Sequence, residues 1–364
     1  MKIRILKSHL SKHISIAQKA ISNKSSIQIL EGIVFEAKDE KLYLTSTDLE
    51  LSIETFVECQ VIREGSVVIK SDIIGNIVRK MPEDEIEIDV EDENITITCQ
   101  NSLFEIKGQN SIDYPALPDI EDDVIAVVNN SDLQYGIKDT IFATSDDESK
   151  LAITGILFEL NKDNIKFVGL DGYRMAIKKY TYGIEKTNSC IVPKRAFNEL
   201  SKILDDGVTE ISVIKGHILF RNSNTKMYSR LIDKKYIEYN KILINDYKTK
   251  LVVNRESLLN SLDRALLMSV GGAASLTKLT IEEGVISINS NSELGKLDEK
   301  VFCNQDGENL KIAFNTKYLL DGLKVIDDDQ VNIYLNHSLA PLVMRPSGDE
   351  ESYVYLVLPV RLSQ

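Results

Sequence analysis

Apolar residues recur at helical spacing at three well-separated places along the chain. Residues three or four positions apart stack on one side of a helix, so each recurrence predicts a helix with one buried face. The three sets are Leu10, Ile14 and Ala17; Leu133, Ile137 and Thr140; and Leu258, Leu262 and Ala265. Their spacing divides the chain into three units of about 122 residues, which is the self-similarity expected of an internal repeat.

A second helical segment belongs to each repeat and follows a strand-like run. In each copy an apolar residue precedes a polar N-cap region, and apolar residues at helical spacing come next. The three copies begin near residues 69, 192 and 314. In the last copy Tyr318, Leu319 and Leu323 mark the face predicted to be buried. Two sets of landmarks therefore agree on the same repeat.

Between the helices, short strand-like runs predict a sheet, and two of them, residues 85–90 and 94–98, alternate apolar and polar residues as a sheet with one solvated face requires. The predicted strands are residues 33–37, 41–45, 85–90, 94–98, 164–168, 210–213, 285–288 and 331–335. The predicted fold class is α+β, with three structurally repeated domains that each pack two helices on antiparallel sheets. The predicted domain limits are 1–120, 127–245 and 249–364, with linkers at 115–123 and 244–248.

Composition narrows the class of protein. The chain lacks the roughly 18 consecutive apolar residues of a membrane helix. Its basic N-terminus lacks the apolar core of a signal peptide, so we expect a cytoplasmic protein. The cysteines are Cys59, Cys99, Cys190 and Cys303, which are scattered and form no CxxC pair. They predict reduced, mostly buried thiols rather than disulfides or a zinc site.

The net charge of −13 argues against nonspecific DNA binding, but the charge is unevenly distributed. The predicted helices are taken as residues 7–24, 68–81, 131–144, 192–204, 254–268 and 314–325. By count they carry fifteen Lys or Arg against seven Asp or Glu, so the helices are basic and the remainder is acidic. Such helices can be ordinary solvated surfaces, or they can share one surface that attracts a polyanion. On the second interpretation the contacts are to phosphates, without sequence preference.

No catalytic motif is visible, and we expect no catalytic residue, no cofactor and no metal. The chain has no GxxxxGK[ST], GxGxxG or GxSxG motif. His9 and His13 have a zinc-like spacing but lack a third ligand, which favours a solvated helix face. The acidic runs 146–148 and 327–329 are expected to be surface turns. A metal-dependent nuclease using these carboxylates, and a repeat scaffold without a nucleic-acid role, remain the alternatives.

Four segments, three in the second repeat and one in the third, resemble one family, the bacterial sliding clamps, which are the beta subunits of DNA polymerase III. The segments are 142–148, 151–156, 167–176 and 353–362. The resemblance extends over the whole chain and includes its length. It implies the DNA clamp fold, a head-to-tail homodimeric ring around duplex DNA. It also implies that the polymerase alpha subunit, the clamp loader and other proteins with a clamp-binding motif insert peptides into an apolar pocket.

The resemblance also implies which residues form that pocket. From the second repeat and the segment after it come Ile153, Leu170, Gly172, Tyr173, Arg174, Met175, Ile237, Lys241 and Ile242. From the third repeat come Asn315, Tyr318, Leu339, Pro341, Leu356, Val357, Leu358, Pro359, Val360 and Arg361. Tyr173, Ile237 and Lys241 stand where the family often has His, Pro and Arg. Residues 271–275 do not align with the family, so no pocket residue is assigned there.

Two further surfaces are expected. The DNA-facing cations are Lys24 and Lys150 in matching turns, with Lys12, Lys19, Arg79, Lys80, Lys194, Lys202, Arg264 and Lys324 on helices. For the ring joint, Phe104 and Ile106 lie on an alternating strand, and Leu267 and Met268 end an apolar helix in the third repeat. A head-to-tail contact that closes a ring must be the same at both joints.

Overall fold

The computed structural model describes residues 1–22, 27–118, 123–214, 216–243, 246–268, 276–292 and 295–361. The chain divides into two compact units. Unit 1 comprises Met1–Leu133 and Arg195–Leu231, and unit 2 comprises Gln134–Lys194 and Ile232–Gln364. Each unit therefore combines one terminal repeat with part of the middle repeat. No helix in the described part of the chain is long and apolar enough to cross a membrane.

The described residues contain six α-helices, at the positions that the repeat predicts. They are α1 Lys7–Ala17, α2 Ser71–Lys80, α3 Asn130–Ile141, α4 Lys194–Ile203, α5 Arg255–Leu267 and α6 Thr316–Leu323. The apolar faces predicted for the first helix of each repeat are buried in all three copies. In the third repeat both helices start at an asparagine N-cap, with Asn254 accepting from Ser257 N and Asn315 from Lys317 N.

The first predicted helix is too long. It was expected to span residues 7–24, but α1 ends at Ala17 and continues as a 3₁₀ turn, Gln18–Ala20. Ile21 then adopts an extended backbone, with φ −82° and ψ 134°. The Gln18 side chain donates to Ser71 O at 2.9 Å, so it bonds the start of α2 instead of lying along its own helix.

The helical pattern also gave a wrong prediction for the environment of His13. The predicted solvated face is wrong for this residue, because its side chain is buried, with 5% exposed. The His13 Nδ1 lies 2.8 Å from Thr55 Oγ1. Thr55 Oγ1 in turn lies 2.8 Å from Thr225 Oγ1. The ring therefore joins a buried hydrogen-bond network inside unit 1 and is not placed to bind a metal with His9.

Strands fill the remainder of the described chain. Those of the first repeat are β1 Lys2–Leu6, β2 Gly32–Lys38, β3 Lys41–Thr47, β4 Leu51–Glu58, β5 Gln60–Arg63, β6 Gly65–Lys70, β7 Glu85–Glu91, β8 Asn94–Cys99 and β9 Ser102–Lys107. Those of the second are β10 Ala126–Asn129, β11 Gly155–Asn161, β12 Asn164–Leu170, β13 Arg174–Thr181, β14 Asn188–Pro193, β15 Val208–Ile214, β16 His217–Asn222 and β17 Thr225–Arg230. Those of the third are β18 Thr249–Asn254, β19 Leu276–Glu282, β20 Val285–Ser292, β21 Gly295–Gly307, β22 Leu310–Asn315, β23 Gln330–Leu335, β24 Leu342–Pro346 and β25 Tyr353–Val357.

Unit 1 contains two antiparallel sheets. One has the strand order β5-β1-β7-β8-β9, and the other has the order β10-β15-β16-β17-β4-β3-β2-β6. The second sheet crosses a repeat boundary, because β4 of the first repeat pairs with β17 of the second from Leu51↔Ser229 to Thr55↔Thr225. The alternation predicted for β7 and β8 is confirmed, since their inward residues are buried and their outward residues are not.

Unit 2 contains one twelve-stranded sheet in the described residues, with the order β14-β11-β12-β13-β25-β24-β23-β18-β21-β20-β19-β22. Its repeats join where β13 pairs with β25, from Arg174↔Val357 to Lys178↔Tyr353. All five residues of β25 are buried, as expected for a strand covered on both faces. Helix α6 packs so closely on β25 that a Cβ added to Gly322 would lie 2.1 Å from Tyr355 Cδ1.

Candidate partner-binding site

The turn between β12 and β13 positions the first predicted pocket residues. Asp171 Oδ1 accepts hydrogen bonds from Tyr173 N at 2.8 Å and Arg174 N at 3.0 Å. Gly172 has φ +94°, a backbone conformation that side-chain-bearing residues rarely adopt. The turn leaves Tyr173 exposed at the surface, with 60% of the residue accessible. Local backbone chemistry therefore presents Tyr173 to solvent.

Arg174 is one of the predicted pocket residues, but its guanidinium is held inside the protein. All three of its nitrogens donate to groups of the same chain. Nε donates to Asp171 Oδ2 at 3.0 Å, Nη1 to Asp321 Oδ2 at 2.5 Å and Nη2 to Phe142 O at 2.8 Å. The guanidinium also lies 4.4 Å from the centre of the Tyr318 ring. Only 11% of the side chain is exposed, so Arg174 braces the turn against α6.

Burial alone would lower the pKa of Arg174. The negative field of its neighbours outweighs that effect, with Tyr355, Asp321 and Asp171 in that order raising the pKa above its ordinary value. The guanidinium therefore keeps its charge at any pH at which the protein is folded. A permanent charge held by two carboxylates and a carbonyl makes the brace independent of pH near neutrality.

Three apolar residues of the predicted pocket, Leu170, Met175 and Leu356, form a row with Val343 across four adjacent strands. Leu170 pairs with Met175, Met175 with Leu356, and Leu356 with Val343, so these side chains share one face of the sheet. Ile153 belongs to the same apolar cluster. All five are buried, with Met175 only 2% exposed. They therefore form the support beneath the site, and solvent reaches other residues.

The exposed apolar residues among those predicted are the ones that a ligand can touch first. They are Tyr173, Ile237, Ile242, Leu339 and Leu358. Leu358 lies beside the turn, because its backbone N donates to Tyr173 O at 2.8 Å. Tyr173 also stacks on Tyr318, with ring centroids 6.4 Å apart. Exposed large apolar side chains of this kind mark interaction surfaces when they are grouped.

The other predicted pocket residues have varied environments. The Asn315 side chain is engaged as the N-cap of α6, and Val357 is buried. The Lys241 side chain is exposed and paired with Glu238. Val360 N donates to Ala313 O at 2.8 Å, which fixes the segment after β25, and Arg361 is exposed. Pro341, Pro359 and Val360 are half-buried. The site therefore comprises an exposed rim and a buried support within unit 2.

A cavity of about 460 Å³ adjoins this site and was not foreseen from the sequence. It is lined by Glu148, Ser149, Lys150, Leu151, Ala152, Ile153, Lys234, Lys235 and Ile237. Ile153 and Ile237 are shared with the predicted pocket. The 3₁₀ segment Glu148–Ile153 begins at Asp147, whose side chain accepts from Ser149 N at 3.0 Å.

Most of the predicted DNA-facing cations are paired with carboxylates. The ion pairs are Lys12–Asp205, Lys19–Glu199, Lys150–Asp147, Lys194–Asp146, Lys202–Glu199 and Arg264–Glu299. Arg79 bonds to the amides of Gln18 and Asn76. Lys80 and Lys324 are exposed, and Lys24 lies outside the described residues. Six of the ten predicted cations are therefore locally neutralised by a carboxylate of the same unit.

The acidic runs that suggested metal binding are engaged in turns and ion pairs. Asp146 pairs with Lys194, which holds the pKa of that carboxyl below its usual range. Asp328 accepts from Gly348 N at 2.7 Å and from Ser347 Oγ at 3.1 Å. Within the described ranges, no three His, Cys, Asp or Glu side chains are grouped to hold a metal ion.

Burial raises the pKa of Cys59 to about 11, so this thiol stays protonated near neutral pH.

The residues predicted for a ring joint are exposed or half-buried. Strand β9 is the edge of the five-stranded sheet and carries Phe104 and Ile106. Leu267, at the end of α5, is exposed, and the next residue, Met268, is half-buried. Phe302 on β21 is 79% exposed and was missed from the sequence. An exposed edge strand is a ready template for pairing with another chain.

Comparison with known proteins decides the family. Three family models match consecutive parts of the chain, described as the N-terminal, central and C-terminal domains of the DNA polymerase III beta subunit. They match residues 1–118, 127–238 and 240–361. The chain belongs to the DNA polymerase III beta subunit family. It is therefore a sliding clamp, a non-enzymatic processivity factor of DNA replication.

Individual relatives agree with this family. The "Beta sliding clamp" of Halalkalibacterium halodurans is 33% identical over 369 residues, covering 96% of this chain and 96% of the relative. The crystal structure of the DNA polymerase sliding clamp from Bacillus subtilis is 30% identical, with a TM-score of 0.96 over 100% of both chains. The beta subunit from DNA polymerase of Streptococcus pyogenes is 27% identical, also with a TM-score of 0.96 over both whole chains. The predicted α+β clamp fold is thereby confirmed.

Proposed function

We propose that two copies of this clamp close head to tail around duplex DNA and tether DNA-processing proteins through the site in unit 2. The tethered proteins are the replicative polymerase alpha subunit, the clamp loader and others with a clamp-binding motif. The domain limits of this proposal are 1–120, 127–245 and 249–364. As for other bacterial replication proteins, we place this function in the cytoplasm.

The observation that carries the peptide part of the proposal is the grouping of residues where β13 begins and β25 ends. The exposed Tyr173 and Leu358 are linked by a backbone hydrogen bond and supported by the buried Met175 and Leu356. A small interface gains its affinity from one or two buried apolar anchors. This combination of exposed apolar rim and rigid support suits a short peptide with a Leu or Phe anchor.

The DNA part of the proposal rests on the weak electrostatic attraction between the helix cations and the DNA phosphates. Lys12, Lys194 and Arg264 are each held by a carboxylate, so a phosphate must compete with an existing partner. Direct affinity is then weak, independent of sequence and lowered by salt. Retention on DNA must come from the topology of a closed ring, since the surface charges alone do not supply it.

The ring joint is proposed between the edge strand β9 of one copy and the third repeat of the other. In the third repeat, residues 295–302 of β21 pair with β20 along one side, while β18 pairs only with residues 303–307. Residues 295–302 thus have an edge that no described strand of the same chain pairs. Phe104 and Ile106 on β9 supply apolar contacts to the joint, as do Leu267 at the end of α5 and Met268 directly after it.

The decisive experiment compares circular and linear DNA. The clamp is loaded on a nicked circular plasmid with a clamp loader and ATP, and the complex is isolated by gel filtration. Cutting the circle once should release the clamp, whereas a protein block bound at both new ends should retain it. Equal retention on uncut and cut DNA would mean ordinary binding and would contradict the ring. Degradation of the plasmid by the clamp and Mg²⁺ would instead favour the nuclease alternative.

A further inference from the structure

The two strand edges of the proposed ring joint each carry a row of exposed side chains. On β9 the row lies on the face opposite to Ile106, which packs against the core of unit 1. Its members are Leu103, Glu105 and Lys107. On β21 the row lies on the face opposite to Glu299, whose carboxylate bonds to Arg264 on α5. Its members are Lys296, Asp298, Lys300 and Phe302. Both rows therefore lie on the sheet face that points away from the core helices.

Four charges in these rows have uncharged neighbours on their own sheets. The residues directly across from Glu105, Lys107, Asp298 and Lys300 are Thr96, Asn94, Asn289 and Ser287, respectively. Lys107 donates to the side-chain oxygen of Asn94, and Asp298 accepts from the side-chain amide of Asn289. Within the described ranges of the chain, none of the four forms an ion pair. Each charge is therefore available to a partner across the free edge.

The backbone hydrogen bonds show which residues point to that edge. Residues of an antiparallel strand alternate between bonding to the neighbour on one side and to the neighbour on the other. Gly108 N donates to Glu93 O at 2.8 Å, so residues 102, 104 and 106 bond to β8. Cys303 N donates to Gly284 O at 2.9 Å, so residues 297, 299 and 301 bond to β20. The intervening residues 103, 105 and 107 on β9, and 298, 300 and 302 on β21, therefore direct their N–H and C=O groups to the free edges.

These two constraints leave few registers for a joint. An antiparallel joint continues the antiparallel pattern of β8 with β9 and of β20 with β21, and the residues that point to the free edges must face each other. Among such registers, one places unlike charges opposite each other at two positions. Its opposed pairs are Leu103–Phe302, Glu105–Lys300 and Lys107–Asp298. A shift of two residues one way opposes Glu105 to Asp298. A shift the other way opposes Lys107 to Lys300, and like charges directly opposite destabilise a strand pair.

We propose that a second copy of this chain pairs its β9 with β21 in this register, and that the two charge pairs make the joint specific for the same chain. The proposal rests on the ring of the proposed function and adds the register and the residues that fix it. Leu103 and Phe302, which are 61% and 79% exposed in the single chain, cover each other across the joint. Because a head-to-tail ring repeats its joint, each charge pair occurs twice.

The test reverses the charges of one pair. Glu105→Lys alone opposes two ammonium groups at both joints, and Lys300→Glu alone opposes two carboxylates. Each variant should raise the dimer dissociation constant roughly 30-fold, or about 2 kcal/mol, by sedimentation at graded concentrations. The chain with both substitutions should regain the native value. An equal mixture of the two single variants, one of them tagged, should form mixed dimers well above the random share of about half, because both joints are then complementary.

The matched control places the compensating charge at another position of the same row. Lys296 is exposed on the same face of β21, but the proposed register leaves it outside the pair with Glu105. Lys296→Glu should therefore leave the dimer of Glu105→Lys as weak as before. Rescue by Lys296→Glu in place of Lys300→Glu would overturn this register. Native-like dimers of both single variants would overturn the role of the charge pairs and leave the ring intact, whereas a monomeric native chain would refute the ring itself.

A covalent measurement checks the register independently of affinity. Leu103→Cys with Phe302→Cys places thiols on directly opposed residues of two copies, at a Cα separation of about 5.5 Å, which a disulfide can span. Mild oxidation with diamide should give a dimer that survives denaturing electrophoresis without reductant. Leu103→Cys alone, which retains Cys303, should run as a monomer. No crosslink in the double variant, or equal crosslinking in the single variant, would overturn the proposed register.

Discussion

Replacing Arg174 by methionine should destabilise unit 2 and weaken peptide binding. Methionine keeps much of the length of the side chain but removes its charge and all of its donors. The substitution leaves the carboxylates of Asp171 and Asp321 without the guanidinium that lies between them, and it also leaves Phe142 O without its donor. The turn that presents Tyr173 then loses its connection to α6.

The size of the effect follows from the burial of the three charged groups. Their side chains are 11%, 13% and 23% exposed for Arg174, Asp171 and Asp321. Removing one partner of a fully buried ion pair costs about 3–5 kcal/mol, and a hydrogen bond to a charged group contributes about 1.5–3 kcal/mol. Because water reaches part of this network, we expect a loss of about 2–4 kcal/mol in the free energy of unfolding.

The assay is urea denaturation followed by circular dichroism and tyrosine fluorescence, since the chain has 14 Tyr and no Trp. The matched control is Arg230→Met, because Arg230 pairs with Glu50 in a bridge whose side chains are 61% and 63% exposed. That control should lose less than about 1 kcal/mol. Peptide affinity should fall about tenfold in the Arg174 variant, a loss of about 1.4 kcal/mol. Equal, small losses in both variants would refute the brace.

Two further predictions concern unit 1 and the ring. Burial, together with the charges of Lys12 and His9, lowers the pKa of His13 to about 4 from an ordinary value of 6.5, so the unfolded chain binds the proton first as the pH falls. The stabilisation that the neutral His13 contributes is present above pH 6.5 and is lost as the pH falls towards 4. Between pH 7 and pH 5 the free energy of unfolding should fall by about 1–2 kcal/mol because of this residue. Urea denaturation of His13→Gln at the same two pH values should lack this part of the loss. If the two proteins lose stability in parallel, the buried neutral imidazole is excluded. Separately, Phe104→Glu combined with Met268→Glu should yield monomers by sedimentation velocity, and an unchanged dimer would count against this joint.

Much of the clamp could be predicted because its signals are local. Helical spacing at Leu10, Ile14 and Ala17 needs only neighbouring residues to specify a buried face, and the threefold recurrence shows which segments are equivalent. The same holds for β7 and β8, whose alternation follows from the pleat of a strand. The resemblance to the sliding clamps was carried by segments whose residues lie close together in sequence.

The details of the candidate site depended on partners that are far away in sequence. Arg174 was expected to face a ligand, but Asp321 lies 147 positions further along the chain and takes up its charge. Met175 was expected to touch a peptide, but its pairing with Leu356 buries it. The helical spacing predicted a solvated His13, but its ring bonds to Thr55, which in turn bonds to Thr225, and both threonines are distant in sequence.

The sequence by itself determined the number of repeats, the class of each repeat and the places of the helices, because helical and strand periodicity are properties of the local chain. The tertiary structure decided which predicted residues form a surface. The pairings of β4 with β17 and of β13 with β25 divide the middle repeat between two compact units. Exposure and charge pairing depend on those long-range pairings, and a spacing rule along the chain contains no information about them.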